Sequence, residues 1–210
     1  VEELRPTRNG MTISRDSKLG NSTKVTYFSM GKDTSISQES YDRMTMYIGA
    51  SGWGEFIIGE EPEIIKLQPD ELLIVPAGTL CGMQTSNGIV YTEIICTGKD
   101  INMNANVKTN EVFALKNLIS YEEGSIANMD VVSTPDMKYV LMAFDEGTGL
   151  TPHRAPGNAI VFALEGKATI GYEGKDHELS EGECFRFEKN GLHSVTANGK
   201  FKMALLLVLE

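Results

Sequence analysis

The chain repeats itself. Glu39 to Gly52 (ESYDRMTMYIGASG) and His153 to Gly166 (HRAPGNAIVFALEG) each span fourteen positions and each end on a glycine turn that leads into another apolar run. Asp70 to Cys81 (DELLIVPAGTLC) and Gly182 to His193 (GECFRFEKNGLH) agree in length in the same way. The offsets, 153 − 39 = 114 and 193 − 81 = 112, stay within two residues of one another. Register held over that distance marks a duplicated structural unit. It constrains the fold strongly, because each copy must then bury its own core with about 100 residues. The natural division is into halves 1–105 and 106–210.

The repeated unit is built of short β-type runs. KVTYFSM, TMYIGA, EFIIGE, EIIKL, ELLIVPAG and GIVYTEIICTG in the first half are followed by KYVLMAF, AIVFALEG, KATIGYEG, ECFRFE and FKMALLLVLE in the second. They are rich in Val, Ile, Tyr and Phe, and Gly, Pro or acidic residues punctuate them, the pattern of antiparallel strands in a sandwich or barrel. Only NEVFALKNLISYEEG reads differently. Its apolar residues Val112, Leu115, Leu118 and Ile119 fall at spacings of three to four, which predicts a short helix capped by Asn110 and connecting the two β units.

At these residues the chain resembles the cupin superfamily, and within it a bicupin. The second half offers Gly147 or Gly149, His153, the Leu164 to Gly166 turn, Gly182 and His193; the first offers the run from Asp70 through Pro76 to Gly78. The likeness covers roughly residues 20 to 98 and 125 to 210, and FDEGTGLTPHRAP is similar to small bacterial cupins that carry one histidine in their first motif. The resemblance implies an all-β protein: two tandem double-stranded β-helix jelly-roll barrels, each with room for a small molecule, joined here by the helical connector. It also implies a metal site of three histidines and one glutamate for Fe, Mn, Ni or Zn, ions that suit imidazole and carboxylate donors.

The ligand positions have changed. In the second half they read His153, Ala155, Ala159 and His193, so two of four donors survive, and residues 153, 155, 157 and 159 share parity on one face of a strand. Two readings stand side by side. His153 and His193 hold a divalent ion with water or substrate completing its shell, or they are pocket histidines without a metal, His193 moving a proton and His153 orienting the substrate. In the first half the same positions become Glu39, Tyr41, Thr45 and Cys81, with Tyr47 on the same parity. These suit hydrogen bonding to a ligand or acid/base work better than metal ligation. The same half contains no histidine to activate Cys81, which reads as a buried hydrophobe. Arg186 interrupts an apolar strand where its counterpart in the first copy is Ile74; pointing inward it would anchor a carboxylate, with Arg154 and Lys189 near the mouth, and pointing outward it is an ordinary surface charge. Trp53 either stacks on a ligand or packs between the repeats.

Charge narrows the partners. With 19 Lys and Arg against 29 Asp and Glu the net charge is −10, and no basic stripe interrupts it. Nucleic acid and acidic membrane surfaces are therefore poor partners. Three cysteines without a CxxC pair suggest a reducing compartment, with the cytoplasm as the default. Two function classes follow: a protein that binds a small polar metabolite, such as a sugar acid or other carboxylate, in its second barrel, and a metal-dependent dioxygenase or isomerase using His153 and His193. A homodimer is compatible with either.

Overall fold

Alternation of inward apolar and outward polar side chains turns almost every run named above into a strand. The computed structural model describes residues 7–20, 23–98 and 100–209, and the strands gather into two compact units.

The first unit holds β1 (Thr12–Asp16), β2 (Lys24–Met30), β3 (Thr34–Ser40), β4 (Thr45–Gly52), β5 (Gly54–Ile58), β6 (Glu63–Leu67), β7 (Glu71–Val75), β8 (Leu80–Thr85) and β9 (Ile89–Ile95). Its two antiparallel sheets run β3-β8-β5-β6 and β1-β2-β9-β4-β7, the second extended by β11 (Val112–Ala114) on the open edge of β7. Met30, Phe56, Leu67, Leu73, Ile89 and Tyr91, fully or almost fully buried, form the core between them. Each such side chain removed from water contributes on the order of 2 kcal/mol against chain entropy.

The second unit takes in β10 (Asn102–Met103), β12 (Ile126–Ser133), β13 (Met137–Phe144), β14 (Gly149–Arg154), β15 (Asn158–Tyr172), β16 (Lys175–Ser180), β17 (Cys184–Phe187) and β18 (Leu192–Val208). β15 and β18 are long and bulged, and each does the work of two consecutive strands of the first unit. The correspondence is close: β4 pairs β9 with Thr45 opposite Ile95, as β15 pairs β18 with Ala159 opposite Leu207. Gly52 and Gly166 occupy equivalent corners, both with positive φ (67° and 76°). A Cβ at either would collide with a backbone carbonyl, that of Gly88 in one unit and Lys200 in the other, so the corner requires glycine in both copies.

The connector is not a helix. Val112 to Ala114 add to the β7 edge, and only Leu115–Asn117 turn, as one 3-10 turn. Asn110 cannot start a helix because it sits in the left-handed region (φ 58°), donates its own N–H to the Ile74 carbonyl, and leaves its side-chain oxygen buried without a hydrogen-bond partner. The apolar spacing that imitates a helix comes from a β-branched and an aromatic residue on a strand followed by a single turn, whose Lys116 carbonyl accepts a hydrogen bond from the Lys202 ammonium at 2.7 Å. All three cysteines are free thiols. Among the described residues no helix is long and apolar enough to cross a membrane.

Candidate functional site

Between the two sheets of the first unit lies a cavity of about 210 Å³. The pleat explains which residues reach it. Phe28 on β2, Tyr47 on β4, Phe56 on β5, and Tyr91 and Glu93 on β9 point inward from paired strands, Tyr47 lying directly opposite Glu93 and Phe28 opposite Tyr91. On β3 simple alternation would put Ile36 and Glu39 on opposite faces. A bulge between them brings both to the cavity, opposite Met83 and Cys81 of β8. Tyr41, just beyond β3, completes the polar wall.

Thus Glu39, Tyr41, Tyr47 and Cys81, scattered in the sequence, meet in one pocket. Thr45 is buried but does not line it. Glu39 is exposed at the mouth, whereas Glu93 is only 4% exposed. The Tyr41 hydroxyl donates to the Glu93 carboxylate. Burial, reinforced by the charge of Glu39, pushes the Glu93 carboxyl up to about 7, although Lys24 and the Tyr41 hydroxyl pull it down. Tyr41 is raised to about 12, by burial and then by Glu93. Tyr47 and Tyr91 are raised further, mainly by burial, and stay neutral phenols. Cys81 is pushed up to about 11 by burial despite a hydrogen bond from Tyr47, which leaves it an inert thiol. Besides Tyr41, four aromatic rings wall the space: Tyr47 and Phe56 have centroids 4.7 Å apart, Phe28 and Tyr91 stack at 4.9 Å, and Tyr91 meets Phe56 edge-on at 6.0 Å.

Glu93 and Tyr91 are the residues that sequence reasoning missed. The signal was present in GIVYTEIICTG, where one carboxylate sits in the middle of an apolar central strand on the same parity as a tyrosine.

The second unit repeats the backbone and empties the chemistry. The β3 bulge recurs in β14, between Leu150 and His153, and His153 lies opposite His193 as Glu39 lies opposite Cys81. The two imidazole rings are 4.2 Å apart. His193 is 8% exposed and stacks near Phe187, while His153 is exposed. The Nδ1–H of His153 donates to the Thr151 carbonyl (2.8 Å) and that of His193 to the Gly191 carbonyl (3.1 Å), which leaves both lone pairs on Nε2. Burial lowers the His193 pKa, and His153 lowers it further. The remaining equivalents are apolar: Ala155 for Tyr41, Val161 for Tyr47 and Leu205 for Glu93, the last two facing each other across β15 and β18. Ala155 and Val161 are buried in the hydrophobic core of this unit with Phe144, Phe187, Phe201 and Met203, and the partly buried Leu205 packs against it.

These residues do not make up the expected transition-metal site. Two imidazoles are brought together, the other two positions are the buried Ala155 and Ala159, and among the described residues no cluster of three His, Cys, Asp or Glu is placed to hold an ion. Arg186 does not point into a pocket. Its strand position faces outward, and its guanidinium pairs with Glu188 at 3.1 Å on the surface. Arg154 is likewise exposed, donating to the Asn190 carbonyl. Trp53 lies beneath the Lys66 ammonium, 4.0 Å from its ring centre, and does not line the cavity. His177 is exposed in the β16 hairpin against Phe185.

Comparison with known proteins agrees with this architecture. The family described as "Cupin domain" matches residues 140–209. The solved structure of a cupin 2 conserved barrel domain protein from Leptotrichia buccalis is similar over 99% of this chain and 93% of its own, at 25% identity and a TM-score of 0.86. Salicylate 1,2-dioxygenase from Pseudoaminobacter salicylatoxidans is similar in fold over 98% of this chain and 76% of its own, at 11% identity and a TM-score of 0.69. AerE from Microcystis aeruginosa covers 94% of this chain and 98% of its own, at 15% identity and a TM-score of 0.55. No curated protein matches by sequence.

Proposed function

We propose that this chain, a member of the cupin superfamily, binds a small molecule in its first barrel and does so without a resident metal. One observation carries the reading. Where the two barrels correspond, the first places Tyr41, Tyr47 and Glu93 on a cavity, and the second has the apolar Ala155, Val161 and Leu205 at the same positions. Polar side chains held in a desolvated cavity cost stability, and a ligand that uses them offsets that cost. The His153–His193 pair gives the second barrel one polar spot, two donors short of the metal site that an oxygenase or isomerase reading requires.

The chemistry open to the first barrel is binding, with proton transfer as its one catalytic resource. Glu93, whose proton affinity lies near neutrality and which Tyr41 holds by a hydrogen bond, is the group suited to accept or return a proton. Cys81 is too basic to act as a nucleophile. A sugar acid or other carboxylate is a poor occupant of this cavity, since two carboxylates and no Lys, Arg or His line it.

The test is a thermal-shift screen of a metabolite library against three proteins: wild type, Ser37→Trp, and the His153→Ala, His193→Ala double variant. Ser37 is exposed at the cavity wall, so an indole there obstructs the space. Hits on wild type should disappear in Ser37→Trp and persist in the double variant. The opposite pattern would move the working site to the second barrel.

A further inference from the structure

The walls of the first-barrel cavity are of two kinds, aromatic faces and carboxylates, and no Lys, Arg or His is among the side chains that line it. Resting on the first barrel as the binding site, we infer that its ligand is a small organic cation, an alkylammonium or quaternary ammonium group seated among Phe28, Tyr47, Phe56 and Tyr91 and neutralised by Glu93 and Glu39.

Each part of the arrangement favours that charge. The ring faces present negative quadrupole density, which attracts a cation most strongly where water is excluded. Tyr47 and Tyr91 are 5% and 2% exposed, and Phe56 is 1%, so the rings are desolvated before any ligand arrives. Their mutual angles, 53° between Tyr47 and Phe56 and 77° between Phe56 and Tyr91, put the rings that line the space in different planes. Glu93 is a buried carboxylate whose charged form burial disfavours, and the exposed Glu39 adds a second. An anion would meet both. A neutral ligand would leave Glu93 only the countercharge of the exposed Lys24, while an ammonium group supplies one inside the cavity. The size of the cavity limits the occupant to a compact molecule. Outside it, the net charge of −10 draws cations toward the protein.

The geometry makes binding and protonation one equilibrium. The groups facing Glu93 are Lys24 from β2, Glu39 from β3, Tyr41 beyond it, Tyr47 from β4, Cys81 from β8 and Tyr91 from its own strand. Only Lys24 is cationic, and it is exposed outside the cavity lining. In the free protein near neutral pH the Glu93 carboxyl is partly protonated. A bound cation expels that proton, so affinity rises with pH through about 7 and each binding event near pH 6.5 releases a fraction of a proton.

The experiment is isothermal titration calorimetry on the full chain with tetramethylammonium, choline and isobutylammonium, each beside a neutral isostere (for choline, 3,3-dimethylbutan-1-ol), at pH 5.5 and pH 8. At least one cation should bind at pH 8 about tenfold more tightly than its isostere. That preference should fall several-fold at pH 5.5 and in Glu93→Gln, and buffers of different ionisation enthalpy should report proton release near pH 6.5. Isosteres that bind as tightly as the cations, with binding lost in Ser37→Trp, would overturn the cation and leave the first-barrel pocket standing. Absence of binding by every probe of either kind would overturn both.

Discussion

Glu93 is a carboxylate that the fold holds at a cost, and the cost is measurable as a pH dependence of stability. Its pKa rises from an ordinary 4.5 to about 7 on folding, with burial the largest cause. The folded state therefore binds more protons than the unfolded chain between those two values, and its stability falls as pH rises through that window. A shift of this size corresponds to about 3 kcal/mol, complete above pH 7 and absent below pH 4.5. Glu93→Gln keeps the shape and an acceptor for the Tyr41 hydroxyl but cannot ionise. The variant should match wild type within a few tenths of a kcal/mol near pH 4 and exceed it by about 3 kcal/mol at pH 8. Urea unfolding followed by tryptophan fluorescence is the assay, because Trp53 is the only tryptophan and belongs to the first unit, so the signal reports that unit alone. A difference that stays constant with pH, or a wild type more stable at pH 8, would refute the account of Glu93 as a desolvated carboxylate.

Further consequences can be checked with single substitutions. Leu205→Glu places the same carboxylate in the second unit without a tyrosine at the Ala155 position, and should destabilise that unit by more than about 3 kcal/mol at pH 8 and by less at pH 5, read by urea unfolding under circular dichroism. Gly52→Ala and Gly166→Ala should each cost more than about 2 kcal/mol, since both corners combine positive φ with a carbonyl in the path of a Cβ. His153→Ala removes the lesser of the two influences that lower the His193 pKa, so NMR titration should show that pKa rising while burial still holds it below the ordinary value. Cys81, with its pKa near 11, should react with a disulfide reagent at pH 8 far more slowly than a free thiol, and Tyr47→Phe, which removes the hydrogen bond to its sulfur, should slow it further.

The duplication was legible because glycine corners and strand lengths are dictated by backbone geometry, which sequence spacing records directly. The pocket was half legible. Glu39, Tyr41, Tyr47 and Cys81 could be found by laying one copy on the other, and the common bulge keeps that correspondence true in space. Glu93 escaped because its counterpart is Leu205, so a comparison organised around ligand positions passed over it. The histidines drew attention to the second barrel, yet the polar wall of the first depends on positions whose second-barrel counterparts, Ala155, Val161 and Leu205, look like those of any β core. Arg186 could not be oriented from sequence because β17 is only four residues long, and its pairing with β15 fixes the face. The connector misled because Val112, Leu115 and Leu118 carry a helical period while the decisive fact, Asn110 in the left-handed region, leaves no mark in periodicity.

The passage from one barrel to the other has a consequence for how the chain is made and cut. After β9 the chain contributes β10 to the second unit, returns to lay β11 on the first, and only then enters the second for good. No single scission yields both halves intact. A fragment stopped at residue 105 leaves β7 with a bare hydrogen-bonding edge, and one begun at 106 lacks the strand that pairs β12. Exposed edges of this kind recruit other chains. On the ribosome, the first barrel likewise stays unfinished until residue 114 has emerged, by which time the opening strand of the second is already synthesised.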